Sequence, residues 1–384
     1  MKPRRRWRVR HRLAVLTVAL FAMSTSQACK CKKDDPTPDG GGTNNGQEDM
    51  GGTNNGQPDM PEDDMGNNGQ PDLPEDDMPG PDMAPDMGEL GDGNITGLRE
   101  VGLNVMTPFD ATPSPDADAV YFVALKADGT SAALFSVTAA GGAPTEVADG
   151  FVAPLSLVSS LDGATIYVAD AGADAVTGNP RGGLIYAVTV ATGDVTPIAS
   201  TAGYKVRSLD LVDVGGTETV YFTGIDPAFD EAGVFRFETG AAPTVATVVR
   251  GAPFGDPSGV AAAPDGTIYV ADTLLGTSSG IIAVTAGAAS TFVEDVRVGY
   301  PAGIALSGDG SHLLVSGLDP LANSAVVYRI TLADKTIQEV SMGIDQNSES
   351  AGVHRAHNTD QYAWANADSP GTVYLIGTSA SPLN

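Results

Sequence analysis

Cysteine is nearly absent from this 384-residue chain: it has two, Cys29 and Cys31, and both precede every segment with strand character. A bond across that C-x-C spacing closes a tiny, strained ring, so no stabilising disulfide is expected. Histidine is scarce as well, with four in all. Beyond the first dozen residues only His312, His354 and His357 remain. His354 and His357 stand three apart on an expected strand, which sends them to opposite faces. Gly276-Thr-Ser-Ser-Gly280 has the spelling of a nucleophile elbow but lies between two expected strands, not in the strand-turn-helix setting that motif needs. A Ser–His triad is therefore excluded. The chain also lacks a phosphate loop, a C-x-x-C metal motif and a dinucleotide fingerprint. Positive charge is in deficit, 21 Lys and Arg against 48 Asp and Glu, for a net −27. Such a surface repels phosphate backbones and anionic membranes, so neither DNA nor RNA is an expected partner.

Long apolar runs are missing too, with one exception at the start. Residues 1–12 carry seven cationic side chains, residues 13–23 are apolar, and residues 24–28 are small and polar. That layout is a secretory signal whose apolar part is too short to remain as a spanning helix. Ser26-Gln-Ala-Cys29 resembles a bacterial lipobox, with Ser26 in place of the usual Leu. The resemblance implies that residues 1–28 are removed and that Cys29 is acylated. Lys30 after it, by likeness to lipoprotein sorting, points to the outer membrane. The expected location is thus exported and lipid-anchored, at the outer membrane, cell surface or periplasmic face, with the lipid as sole membrane contact.

Residues 29–94 form an acidic Gly/Pro/Asn/Asp-rich tether. From residue 34 to 94 there are 17 carboxylates and no Lys or Arg, and Pro-Asp-Met recurs at 58, 81 and 85. This composition cannot bury enough apolar surface to offset ordering, so disorder is expected. A coil of about 60 residues averages on the order of 40–45 Å end to end.

What remains, 95–384, repeats itself. An apolar strand recurs as Ala119-Val-Tyr-Phe-Val123, Thr165-Ile-Tyr-Val-Ala169, Thr219-Val-Tyr-Phe-Thr223, Thr267-Ile-Tyr-Val-Ala271, His312-Leu-Leu-Val-Ser316 and Gln361-Tyr-Ala-Trp-Ala365. Strand-rich units at a period of about 45–54 residues are propeller blades. Each unit starts with a small-residue strand such as Ser258-Gly-Val-Ala-Ala262, followed by a tight turn such as Leu161-Asp-Gly163 or Pro264-Asp-Gly266. Asp-Gly between apolar strands is a hairpin signal, because the turn needs positive φ. The last unit stops after its third strand, while Arg99-Glu-Val-Gly-Leu103 has the outer-strand pattern ahead of the first. The expected fold is therefore an all-β, six-bladed propeller, its last blade completed by the N-terminal strand and its edges thereby removed.

Pro257-Ser-Gly-Val-Ala-Ala-Ala-Pro-Asp-Gly-Thr-Ile-Tyr-Val-Ala-Asp272 resembles an NHL repeat, and Pro301-Ala-Gly-Ile-Ala-Leu-Ser-Gly-Asp-Gly310 repeats its first half. The repeat region as a whole resembles the NHL and senescence-marker/gluconolactonase group of six-bladed propellers. The lactonase branch of that group implies a divalent metal at the channel mouth, held by carboxylate and Asn ligands. Here the matching positions are Ser258, Ala302 and Ala351, none a competent hard-metal ligand. Asp256 and Glu349 stand two positions earlier, which leaves calcium or another divalent metal as the alternative to no cofactor.

Asp170, Asp272 and Asn366 occupy one equivalent place at the end of the second strand. They either bond backbone donors in the adjoining loop or ring the channel mouth with acceptors. Phe151, Tyr204 and Phe254 hold matching places in the loops between units, with Tyr300 nearby and Lys205, Arg207 and Asp256 between them. These rings either contact a ligand or partner on the rim or wedge between blades. The expected function is a non-enzymatic binding or scaffolding module for a protein or small ligand, acting as a monomer. The alternative is a metal-dependent lactonase.

Overall fold

The computed structural model describes residues 91–173, 182–276, 278–299, 302–319, 324–340, 350–367 and 369–383. The signal, Cys29, Tyr300, Glu349 and the tether up to residue 90 lie outside them.

Within the described residues the chain is almost wholly β. β1 (Ile95–Pro113) is followed by β2 (Ala119–Leu125), β3 (Ala132–Thr138) and β4 (Thr145–Phe151). Four separate antiparallel sheets come next. The first holds β5 (Pro154–Ser159), β6 (Thr165–Asp170), β7 (Leu184–Thr189) and β8 (Val195–Ile198). The second holds β9 (Ser208–Asp213), β10 (Glu218–Asp226), β11 (Glu231–Glu238) and β12 (Ala246–Arg250). The third is β13 (Pro257–Ala262), β14 (Ile268–Leu275), β15 (Ser278–Thr285) and β16 (Ala288–Glu294). The fourth is β17 (Ile304–Leu306), β18 (His312–Asp319), β19 (Ser324–Thr331) and β20 (Ile337–Val340). Finally β21 (Ser350–Arg355), β22 (Tyr362–Asn366) and β23 (Gly371–Thr378) pair back onto β1. One seven-stranded sheet thus runs β21-β22-β23-β1-β2-β3-β4.

β1 serves two neighbours. Its first part, from Ile95 to Val105, pairs with β23, and its second, from Met106 to Pro113, pairs with β2. Register shifts and the positive φ of Asn104 (55°) and Thr107 (46°) mark the corner between them. Pro108 and Pro113 are tolerated because this part of β1 pairs on one side only.

The innermost strands pack in a cycle: β1 on β5, β5 on β9, β9 on β13, β13 on β17, β17 on β21, and β21 on β1. Side-chain oxygens stitch part of the ring. Asp110 accepts from Leu157 N at 3.0 Å, Ser156 from Leu209 N at 3.1 Å, and Ser208 from Val260 N at 3.2 Å. Elsewhere glycines let neighbouring strands approach closely. A Cβ on Gly303 would collide with Val353 N, and one on Gly352 with the Asp110 carboxylate.

Apolar side chains of neighbouring sheets interlock between them. One cluster joins Leu134 and Phe151 to Leu157, Val168 and Tyr186; another joins Tyr167 and Ile185 to Leu209, Phe222, Phe235 and Phe237. Second and third strands read as near-continuous apolar runs because both of their faces are covered. Outer strands such as β16 and β20 are largely exposed. The result is an all-β, propeller-like fold.

The two ends of the sheets differ. One bears the Asp-Gly turns, with Gly163, Gly266 and Gly310 at φ of 70°, 87° and 70°. The chain enters there: Gly93 N donates to Asp360 at 3.1 Å, and Asp92 pairs with Arg329 at 2.7 Å. The other end carries the loops between second and third strands and the connections from sheet to sheet.

Candidate functional site

The loop-bearing end is built on buried carboxylates. Asp170, at the end of β6, and Asp272, at the matching place within β14, are fully buried. Asp170 accepts from Val152 N, Ala153 N and Gly172 N at 2.8, 2.8 and 2.9 Å. Asp272 does the same for Gly255 N, Asp256 N and Leu274 N at 2.9, 2.9 and 2.8 Å. Each carboxylate therefore ties the incoming connection to its own following loop, and holding backbone donors occupies both of its oxygens. Asn366, at the equivalent place on β22, is also fully buried.

The aromatic candidates turn inward. Phe151 and Phe254 are 5% and 9% exposed and belong to inter-sheet cores, Phe151 edge-on to Tyr186. Tyr204 packs edge-on against Phe222 and Phe235 at 5.7 and 4.8 Å. Phe151 and Phe254 thus pack between sheets, and Tyr204, half-buried, packs against one. Their charged neighbours come together at the surface. Arg207 reaches Asp256 at 2.8 Å, and the same carboxylate accepts from Thr273 Oγ1 at 2.8 Å. Ser258 is buried, donating to Asp256 O at 2.8 Å, and Ala302 is buried beside it. Lys205, half-buried and held at a positive φ of 46°, has no ion-pair partner among the described residues.

A second polar cluster lies along the axis, and sequence reasoning missed it. His354 Nε2 is 2.9 Å from Asp110 Oδ2, both side chains being buried. This contact joins β21 to β1, where the ring of inner strands closes. Asp110 Oδ1 also accepts from Ala111 N at 2.8 Å. Burial alone would strip the His354 proton, but the Asp110 carboxylate, with Asp210 adding to it, lifts its pKa above the ordinary imidazole value. Asp210 on β9 is half-buried and accepts from Ala262 N at 2.7 Å. Desolvation raises its pKa, only partly offset by that bond and by His354.

His357 departs from the expected alternation, because β21 ends at Arg355 and the ring sits in the turn beyond it. Its Nε2 donates to Ser159 O at 2.8 Å. Burial pushes its pKa down to about 4, against the pull of that bond and with help from Arg355 and His354.

The two histidines give opposite pH dependences. His357 folds neutral, so the unfolded chain binds its proton first as pH falls, and stability drains between about 6.5 and about 4, by at most about 3 kcal/mol. His354 has a raised folded pKa, so its contribution is intact below about 6.5 and is lost as pH rises through the folded value. Urea denaturation across pH is expected to show maximal stability near neutrality. His357→Gln should flatten the acid limb and His354→Gln the alkaline limb. Unchanged limbs in both variants would refute the assignment.

No group of three or more His, Cys, Asp or Glu among the described residues is placed to hold a metal ion. The fold and this end together define a propeller-like β protein whose polar groups serve mainly to hold loops. No protein-family profile matches the chain, and no curated protein matches it. Solved structures with a similar course include the calcium-binding protein regucalcin from Agrobacterium tumefaciens, at 15% identity over 76% of this chain and 97% of that one, with a TM-score of 0.48. Hydrazine synthase of Kuenenia stuttgartiensis is similar at 15% identity over 70% and 79%, TM-score 0.47. TolB from Acinetobacter baumannii is similar at 12% identity over 74% of this chain, TM-score 0.42, and the match spans 55% of TolB.

Proposed function

We propose that the chain is an exported, envelope-anchored six-bladed propeller that acts as a non-enzymatic module for binding or scaffolding a protein or small ligand. The double service of β1 supports a count of six. Divided at its corner, the seven-stranded sheet becomes two four-stranded blades, closed by the chain's own leading strand. Acylated Cys29 would supply the anchor and the acidic tether the reach.

One observation supports the functional reading: the buried and half-buried carboxylates at the loop-bearing end, Asp170, Asp272 and Asp256, are already engaged. Asp170 and Asp272 each hold three backbone donors, and Asp256 holds Arg207 and Thr273. Groups that do chemistry on a substrate must be free to reach it. What faces outward here is loop surface on a rigid frame, where recognition usually resides.

The purified protein is expected to hydrolyse an aldonolactone no faster than buffer does and to melt at the same temperature with and without chelator. Chelator-sensitive hydrolysis, lost in Asp256→Ala with Glu349→Ala, would replace this reading with the lactonase. An unmodified Cys29 in mass spectra of the mature N-terminus would remove the anchor.

A further inference from the structure

Of the asparagines in this chain, only Asn94 has Ser or Thr two places on with no proline between them, as Asn94-Ile95-Thr96. That spacing is the acceptor pattern for N-glycosylation, a modification of surface segments in exported proteins. The structure puts it at the end of the sheets where the chain enters, at the start of β1. Asn94 and Thr96 are both exposed. Neither the Asn94 amide group nor the Thr96 hydroxyl makes a hydrogen bond among the described residues.

The backbone here is held without them. Asn94 N donates to Asp92 Oδ1 at 3.1 Å, Asn94 O accepts from Ser379 N at 2.9 Å, and Asp92 pairs with Arg329. Ile95 stands opposite Thr378 and Gly97 opposite Gly377, so a register shift leaves Thr96 as the extra residue of a bulge. Asp92, two places before the asparagine, keeps 45% of its side chain exposed. A glycan on Asn94 therefore displaces no contact that the fold uses.

The order of folding also leaves the acceptor open to an enzyme. Gly93 N bonds to Asp360, 267 residues later in the chain, and Arg329 lies 237 residues after Asp92. The first part of β1 waits for β23, close to the C-terminus. Such long-range pairings form only once the distant partner is present. A chain crossing a membrane unfolded, N-terminus first, thus presents residues 92–96 unpaired until almost all of the rest has followed.

We propose that Asn94 is an N-glycan acceptor; the proposal rests on the export reading above. The co-reactant is an oligosaccharide joined through its C1 to a polyprenyl pyrophosphate, delivered by a membrane-bound oligosaccharyltransferase. Nδ2 of Asn94 forms a bond to C1 as the bond from C1 to the pyrophosphate oxygen breaks. The polyprenyl pyrophosphate leaves with that electron pair, a base of the transferase takes one amide proton, and nothing is oxidised or reduced. The Thr96 hydroxyl and the Asp92 carboxylate flank the amide and offer the transferase a hydrogen-bonding group and an anion to hold. The glycan stands at the end opposite the loops and leaves the loop surface free.

Mass spectrometry of the full protein isolated from the envelope of its native host tests this, with peptides fragmented so that the glycan is retained. The peptide containing Asn94 is expected to carry added mass that is lost in sugar-sized steps and maps to Asn94. Thr96→Ser should keep the glycan, whereas Asn94→Gln and Thr96→Ala should each drop it below detection. Asp92→Asn should lower occupancy at least about twofold, and unchanged occupancy would remove Asp92 from recognition. All three side chains are exposed, so an undiminished yield of folded protein separates lost modification from lost fold. A chain cleaved of residues 1–28 with a bare Asn94, or added mass that survives Thr96→Ala, overturns the site and leaves the export reading standing. A chain that still carries residues 1–28 removes the export reading and the site with it.

Discussion

A chain that begins at Met106 is expected to fail to fold as a soluble monomer. The truncation removes the part of β1 that pairs with β23 from Ile95 to Val105 and leaves the part that pairs with β2. It withdraws Val101 and Val105 from the core cluster that also contains Val373 and Leu375. Two buried valines contribute about 1.5–3 kcal/mol each, and the lost ladder adds about 0.5–1.5 kcal/mol per hydrogen bond. The sum is at least about 5 kcal/mol, comparable with the whole stability of an ordinary domain. The deletion also uncovers β23, whose unpaired backbone groups invite pairing between chains. Aggregation is the expected outcome, measured by light scattering after refolding, and a synthetic peptide of residues 91–106 supplied in trans should reduce it. A monomeric truncated chain that melts within a few degrees of the parent would mean that β1 does not latch the ring.

That closure was legible in Arg99–Leu103, whose outer-strand pattern stood one unit ahead of where it was needed. The other half of β1 was not. Met106–Pro113 has two prolines and none of the small-residue pattern that marks Ser258–Ala262, because its place is set by the corner at Asn104 and Thr107. The matching positions of Phe151, Tyr204 and Phe254 were visible in the sequence, but their direction was not. A connecting loop has no period from which to read which side faces the core. The Asp110–His354 pair lay furthest from view, its members 244 residues apart and with no local signal joining them. Only closing the ring brings them together. A faint cue existed in the register of the inner strands, where Asp110, Ser156 and Ser208 each offer a short side-chain acceptor to the next strand's amide.

Asp272→Ala should destabilise the loop-bearing end, as should Asp170→Ala, which also frees three backbone donors. The wild-type carboxylate is fully buried and accepts from Gly255 N, Asp256 N and Leu274 N, none of which has an alternative acceptor supplied by the alanine. An unsatisfied buried donor costs about 1–3 kcal/mol, but these three bonds are only part-buried. Water reaches the freed donors and replaces part of what is lost, so a net loss of about 1–3 kcal/mol is expected in urea denaturation. Asp272→Asn keeps one acceptor oxygen but aims an amide at the remaining donors, and should fall between the two. The damage should also be local. Hydrogen-exchange protection is expected to drop first at Gly255, Asp256 and Leu274, while β10 and β11 of the neighbouring sheet stay protected. A stability loss under about 1 kcal/mol would show that the connection holds itself in place. Sheets that do without this carboxylate, with Gly224 and Gly317 in its position, suggest how that happens: close backbone approach to Tyr204 O and Arg297 O does the work of the side chain.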